Sequence, residues 1–181
     1  MPNIETPLVS GAANRPQTGA EFLASLHDDR EVYAYGKRIE DITAHPAYRN
    51  SAVSISKLFD SIQDPNSPAA VPTDTGNGGH THAFFKVPHT REDLVASKIA
   101  IQDWQRQSFG WMGRTPDYKA SLITMLGADP EFFGEWAPNA RYWYRRVQEE
   151  LLHVGHAIVH PPVDRSRGMA DAKDVFVHVD E

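Results

Sequence analysis

The sequence predicts a mainly α fold with one small β-hairpin and a lone strand at its end. Three observations carry that reading. Apolar residues recur at three- and four-residue intervals along 45–62, 90–111 and 138–154. Capping signals open the helices, with Thr18 before Glu21 and Thr90 before Asp93. Extended patterns are few and short.

Each element has its own signal. Residues 1–17 lack periodicity and read as an arm. Thr18-Gly19-Ala20-Glu21 caps a short helix carrying Phe22, Leu23 and Leu26, which stops near Asp28-Asp29. Val32, Tyr33 and Tyr35, followed by Gly36 and then Ile39 and Ile42, predict a hairpin turning at Gly36-Lys37. His45-Pro46 opens the next helix, with Pro at the first helical position and Tyr48, Ala52, Ile55, Phe59 and Ile62 forming its buried stripe. The stretch from Pro65 to Gly79, rich in Pro, Gly, Asn and Thr, is expected to be an irregular loop. His80 to Val87 is expected to be extended.

Thr90 then starts a long helix whose first turn holds Glu92 and Asp93, favourable to the helix dipole. Leu94, Ile101, Trp104 and Trp111, widened by Val95 and Ile99, are its expected buried face. A helix from Ala120 should stop at Gly127. Asp129-Pro130-Glu131 begins a short one with Phe132, Phe133 and Trp136. Pro138-Asn139 begins the last, with Tyr142, Trp143, Val147, Leu151 and Val154 on its apolar side. The consecutive aromatics Tyr142, Trp143 and Tyr144 predict burial on more than one side; core packing explains them, and a planar ligand is the alternative. Arg145/Glu149 and Arg146/Glu150 are spaced for ion pairs. Pro161-Pro162 forbids the helix from continuing. Val175, Val177 and Val179 alternate as a terminal strand without an evident partner.

Composition excludes several functions. At 181 residues and a net charge of -6, without a Lys/Arg run, the chain is unsuited to general nucleic-acid binding. It has no cysteine, which removes disulfides, thiolate catalysis and sulfur-based metal sites. No signal peptide or membrane-length apolar run is evident, so a soluble cytoplasmic protein is expected. His80, His82 and His89 invite a metal, but no carboxylate accompanies them at ligand spacing, and no metal is expected.

Gly113-Arg114-Thr115-Pro116-Asp117-Tyr118 is the stretch with chemistry in it. Arg114 and Tyr118, four apart, share a face of any helix running through Pro116, and a guanidinium beside a phenol can hold an anionic oxygen. Spacing alone favours the plainer arrangement, in which Arg114 ends one helix while Tyr118 packs in the core with its hydroxyl in solvent.

Four stretches together resemble the oxygenase component of the two-component flavin monooxygenases of the 4-hydroxyphenylacetate 3-hydroxylase family. They are Thr18 to Leu26, Asp41 to Asn50, Gly113 to Tyr118, and His156 to Ser166. The resemblance implies the N-terminal helical domain of an acyl-CoA-dehydrogenase-like flavin monooxygenase. Residues 18–160 would be that domain, and 161–181 a flavin loop and the start of a truncated β-domain. It implies that Arg114, Tyr118 and His156 hold the substrate's phenolic oxygen, His156 also accepting a proton near neutral pH. It implies FAD, delivered reduced by a separate NAD(P)H flavin reductase, with His156, Pro162, Asp164, Arg165 and Ser166 as contacts and Arg165 facing the pyrophosphate. Dioxygen, a phenolic substrate hydroxylated ortho to its hydroxyl, and a tetrameric full-length protein complete the expectation. Gly155 stands where the family often has Thr, and His160 where Asn is expected. Both departures bear on substrate identity more than on reaction class. The related 4-hydroxybutyryl-CoA dehydratase is disfavoured because it needs cluster-ligating cysteines. A catalytically inactive helical module is the reading from another class.

Overall fold

The computed structural model describes residues 15–110 and 115–154, with the backbone alone at 117, 118 and 121. Their order is α1 (Gly19–Ser25), β1 (Val32–Ala34), β2 (Lys37–Ile39), α2 (Arg49–Ser61), β3 (Ala70–Pro72), β4 (His80–His82), a 3₁₀ turn (Ala83–Phe85), α3 (Arg91–Gln107), α4 (Asp117–Ala128), a 3₁₀ segment (Pro130–Trp136) and α5 (Ala137–Glu150). The described fold is thus mainly α, as the periodicity predicts, but it has two small hairpins where the sequence predicts one. The terminal strand expected over 174–180 lies outside the described residues.

Local chemistry sets the helix starts. Both capping boxes form: Thr18 accepts from the Glu21 amide while Glu21 reaches back, and Thr90 and Asp93 do the same. Pro130 and Pro138 lie in the first turns of their segments, where a missing N–H costs nothing. α2 departs from expectation. His45-Pro46 does not begin it; the His45 Nδ1 accepts from the Ala47 amide at 3.2 Å and closes a separate turn. Tyr48 (φ -121°) then breaks helical geometry before Arg49.

The first hairpin pairs Val32 with Ile39 and Ala34 with Lys37. Its two-residue turn is Tyr35-Gly36, one position earlier than expected, because both residues take positive φ (52° and 73°), as a type I′ turn requires. The Pro65–Gly79 stretch is not wholly irregular. β3 lies within it, pairing Ala70 with His82 and Pro72 with His80. β4 is correspondingly short, and Ala83 to Phe85 coil into a 3₁₀ turn capped by the His82 side chain.

Phe22, Ile55, Leu58, Phe59, Ile62, Phe85, Trp104, Val147 and Leu151 make the core, gathering α1, α2, α3 and α5 around the 3₁₀ turn. Trp104 is fully buried and donates its indole N–H to Ser61 Oγ at 3.2 Å. The inward face of α3 is Ser97, Ala100, Trp104 and Ser108, while Leu94, Val95 and Ile99 face outward at 58, 50 and 42% exposure. The expected face was rotated because small residues at 97 and 100 admit the bulky His82, Phe85 and Trp104 cluster. His82 and Trp104 rings lie 4.1 Å apart.

Two helix ends also differ. α4 runs through Gly127 to Ala128, and Gly127 is there for packing: a Cβ would overlap the Tyr144 ring. α5 ends at Glu150, short of Val154, because Leu151 takes a left-handed conformation (φ 51°, ψ 59°). Gln17 holds that end, its Nε2 donating to the Leu151 carbonyl at 3.1 Å. The α5 aromatics are not all buried. Trp143 is 43% exposed, and the Arg146 guanidinium covers the Trp143 and Tyr142 rings at 5.4 and 6.0 Å from their centroids.

Candidate active site

The stretch carrying Arg114 and Tyr118 lies between α3 and α4. α3 ends in a left-handed turn at Phe109 and Gly110, where the Gly110 amide donates to the Gln105 carbonyl at 2.9 Å. Thr115 is buried and accepts from Gln105 Nε2 at 3.1 Å, which ties the incoming strand of chain to the outgoing end of α3. Pro116 is the N-cap of α4, and Tyr118 is the helix's second residue. The α4 N-terminus, the positive end of its dipole, is therefore adjacent to the tyrosine. Arg114 lies three positions before the helix and outside the described residues.

His156, Pro162, Asp164, Arg165 and Ser166 also lie outside the described residues, as does Gly155. What is described is the approach to them. The chain leaves α5 through Leu151 and passes Leu152 and His153, whose ring stacks against Phe22 at 6.2 Å. Of the expected substrate donors, only the Tyr118 backbone is placed.

The three histidines do not converge. His82 is fully buried, His80 half-buried and His89 exposed. Among the described residues no group of three His, Asp or Glu side chains is arranged to hold a metal ion. Burial lowers the His82 pKa to about 3, opposed by a hydrogen bond to the Ala100 backbone, so the ring is neutral at pH 7.

Sequence reading missed a polar network behind α4. The Tyr144 hydroxyl donates to Asp74 Oδ2 at 2.7 Å and accepts from the Val87 amide at 3.0 Å. Gln148, fully buried, donates to Asp74 Oδ1 at 2.8 Å. Burial, and then the Asp74 carboxylate, push the Tyr144 pKa up, so the phenol stays protonated. The network clamps the 73–87 segment to α5. The spacing of Tyr144 and Gln148 was a visible signal, but Asp74, 70 residues earlier, was not a partner that periodicity identifies.

Among the described residues, a cleft of about 910 Å³ lies elsewhere, between α1, α2 and the end of α5. Phe22, Leu26, Ile42, Tyr48 and Ile55 line it with Leu152 and His153.

Comparison with known proteins completes the picture. The family model described as 4-hydroxyphenylacetate 3-hydroxylase N terminal matches residues 18–181. The 4-hydroxyphenylacetate 3-monooxygenase oxygenase component of Pseudomonas aeruginosa is 51% identical over 94% of this chain and 33% of its own length. A Rhodococcus 4-nitrophenol 2-monooxygenase oxygenase component is 52% identical over 92% of this chain and 33% of its own. The chain thus spans about a third of the length of these curated relatives. A crystal structure of a 4-hydroxyphenylacetate 3-monooxygenase oxygenase component, complexed with FAD and 4-hydroxyphenylacetate, superposes with a TM-score of 0.78 at 31% identity. That match covers 87% of this chain and 33% of the other.

Proposed function

The chain belongs to the 4-hydroxyphenylacetate 3-hydroxylase family, and on that premise we propose its function. It is the N-terminal portion of the oxygenase component of a two-component flavin monooxygenase, which hydroxylates a phenol ortho to its hydroxyl. The observation that carries the reading is the match over residues 18–181, which includes Arg114, Tyr118, His156 and the 162–166 loop. The two relatives named above act, by their names, on different 4-substituted phenols, so the phenolic hydroxyl is the feature their sites must share.

Each donor has a task. Arg114 neutralises the phenolic oxygen as it gains negative charge, and Tyr118 donates a hydrogen bond to it from the start of α4, where the dipole favours an anion. His156 accepts the phenolic proton, making the ring electron-rich at the carbon beside the hydroxyl. Pro162, Asp164, Arg165 and Ser166 hold the FAD, Arg165 through its pyrophosphate. Reduced FAD held there would react with dioxygen to supply the electrophilic oxygen that the ring attacks, the second oxygen atom leaving as water and the flavin ending oxidised. A separate NAD(P)H reductase delivers the reduced cofactor, and a tetramer in the cytoplasm is the expected setting. Among the described residues no helix is long and apolar enough to cross a membrane.

Coverage of a third of the relatives' length supports a second reading, in which the 181 residues alone are a helical module without turnover. Reconstitution separates the two. The chain, or a full-length parent, is mixed with FAD, a flavin reductase and NADH, and catechol formation from 4-hydroxyphenyl compounds is followed. Product from the parent alone selects the second reading; product from neither rejects the family activity. In an active parent, Arg114→Gln or Tyr118→Phe should weaken phenol binding about 10-fold or more, the cost of one charge-assisted hydrogen bond. Flavin affinity should not change. Unchanged phenol affinity would refute the assigned roles.

A further inference from the structure

The loop between β3 and β4 carries a reactive arrangement apart from the residues assigned to substrate and cofactor. Its sequence is Thr73-Asp74-Thr75-Gly76-Asn77-Gly78-Gly79. Gly76 and Gly78 are exposed and take positive φ (82° and 70°), while Asn77 between them is half-buried. The Asn77 Oδ1 accepts from Thr73 Oγ1 at 2.5 Å and from the Gly79 amide at 2.9 Å. A backbone N–H can only donate, so this pairing fixes which end of the carboxamide is its oxygen. We propose that Asn77 is a site of spontaneous covalent modification, at which the Gly78 nitrogen displaces the side-chain nitrogen as ammonia.

Three features of the loop serve that step. The Gly78 nitrogen and Asn77 Cγ belong to adjacent residues, so ring closure is intramolecular and gains from proximity, and glycine has no Cβ to obstruct it. Among the described residues the Gly78 amide has no hydrogen-bond acceptor, which leaves its proton open to solvent base. As the nitrogen attacks, the side-chain carbonyl oxygen becomes an oxyanion, and the Thr73 hydroxyl and Gly79 N–H already point at it. The N–Cγ bond forms and the Cγ–Nδ2 bond breaks. The Gly78 proton passes to solvent, and the departing nitrogen takes up a proton to leave as ammonia. Water then opens the cyclic imide. Addition at Cγ gives aspartate; addition at the Asn77 main-chain carbonyl gives isoaspartate, with an extra methylene in the backbone. Asn66 lacks this arrangement: it precedes Ser67, and its side chain donates from Nδ2 to Asp64 at 3.3 Å.

The consequence reaches α5. Asp74 of the same loop holds Tyr144 and Gln148 through its two carboxylate oxygens. A carboxylate at position 77 adds negative charge to that loop. Isoaspartate also lengthens a loop whose ends are joined by the Thr73 amide and the Gly79 carbonyl at 3.0 Å. Modification therefore loosens the clamp between this loop and α5. The inference makes no use of flavin or substrate, so it stands or falls apart from the proposed reaction.

Ageing the full chain in mildly alkaline buffer tests it. Peptide mass mapping should find amide nitrogen replaced by oxygen at residue 77 ahead of residue 66, with isoaspartate detected by a protein isoaspartate methyltransferase. An unmodified residue 77 would overturn the proposal. Thr73→Val then separates an oxyanion donor from simple loop packing. Loss of the donor should slow the reaction at least about 10-fold, and Thr73→Ser should restore it. A hydroxyl that only stiffened the loop would leave Thr73→Val as fast or faster, and that result would refute the proposal. If Thr73→Val fails to fold, the unaltered chain decides. Its rate at residue 77 should fall at least about 10-fold in unfolding concentrations of urea, where both donors are lost. An equal or higher rate there would also refute it.

Discussion

At the residue scale, Gly127 and His82 set measurable limits. Gly127 sits within α4 because the Tyr144 ring occupies the space its Cβ would need. Gly127→Ala should therefore destabilise by about 1–3 kcal/mol, although alanine is the better helix former. A thermal melt should show the midpoint falling by about 2–4 °C per kcal/mol; an unchanged or raised midpoint would mean that the helices slide apart freely. His82 has a folded pKa of about 3 against an ordinary value near 6.5. The unfolded chain therefore takes up the proton first. Stability is fully present above about pH 6.5 and declines as pH falls toward 3, by at most about 1.4 kcal/mol per pH unit from this residue. Denaturant titrations from pH 7 to 4 should show a shallower decline for His82→Gln than for the parent. Parallel declines would mean that His82 is protonated in the fold.

At the scale of elements, the starts of α1, α3, the Pro130 segment and α5 were legible because their causes lie within four residues. By contrast, α2 begins at Arg49 and not at Pro46, and α4 at Asp117 and not at Ala120. Thr18 with Glu21, Thr90 with Asp93, and the two first-turn prolines needed no tertiary information. Thr90→Ala should cost about 1 kcal/mol, read as a lower urea midpoint with an unchanged slope. A changed slope would point to a wider rearrangement than loss of a cap. What could not be read depends on partners far along the chain. β3 is hidden inside a Pro- and Gly-rich stretch and is defined only by β4. The face of α3 was misplaced because Ser97 and Ala100 look indifferent until His82 and Trp104 are seen beside them. Gly127 reads as a stop signal until Tyr144 arrives. At the candidate site, residue types and order were legible from Gly113 to Tyr118. The start of α4 at Asp117 adds the helix terminus that spacing alone did not supply.

For the molecule as a whole, α3 presents an exposed apolar side among the described residues. Leu94, Val95 and Ile99 adjoin there, and such a patch promotes association. The 181-residue chain should bind a hydrophobic dye such as ANS. Val95→Lys with Ile99→Glu should reduce the signal and any light scattering, while moving stability by no more than about 0.5 kcal/mol per site. Undiminished dye binding would place the responsive surface elsewhere. One further property follows from Gln17. It joins the start of the described chain to the end of α5, while Gln63 of the α2 end donates to the Pro16 and Gln17 carbonyls at 3.3 Å. Entry and exit of the helical unit are thus one seam. Tension applied between residues 15 and 154 would load that seam in shear before it reached any helix.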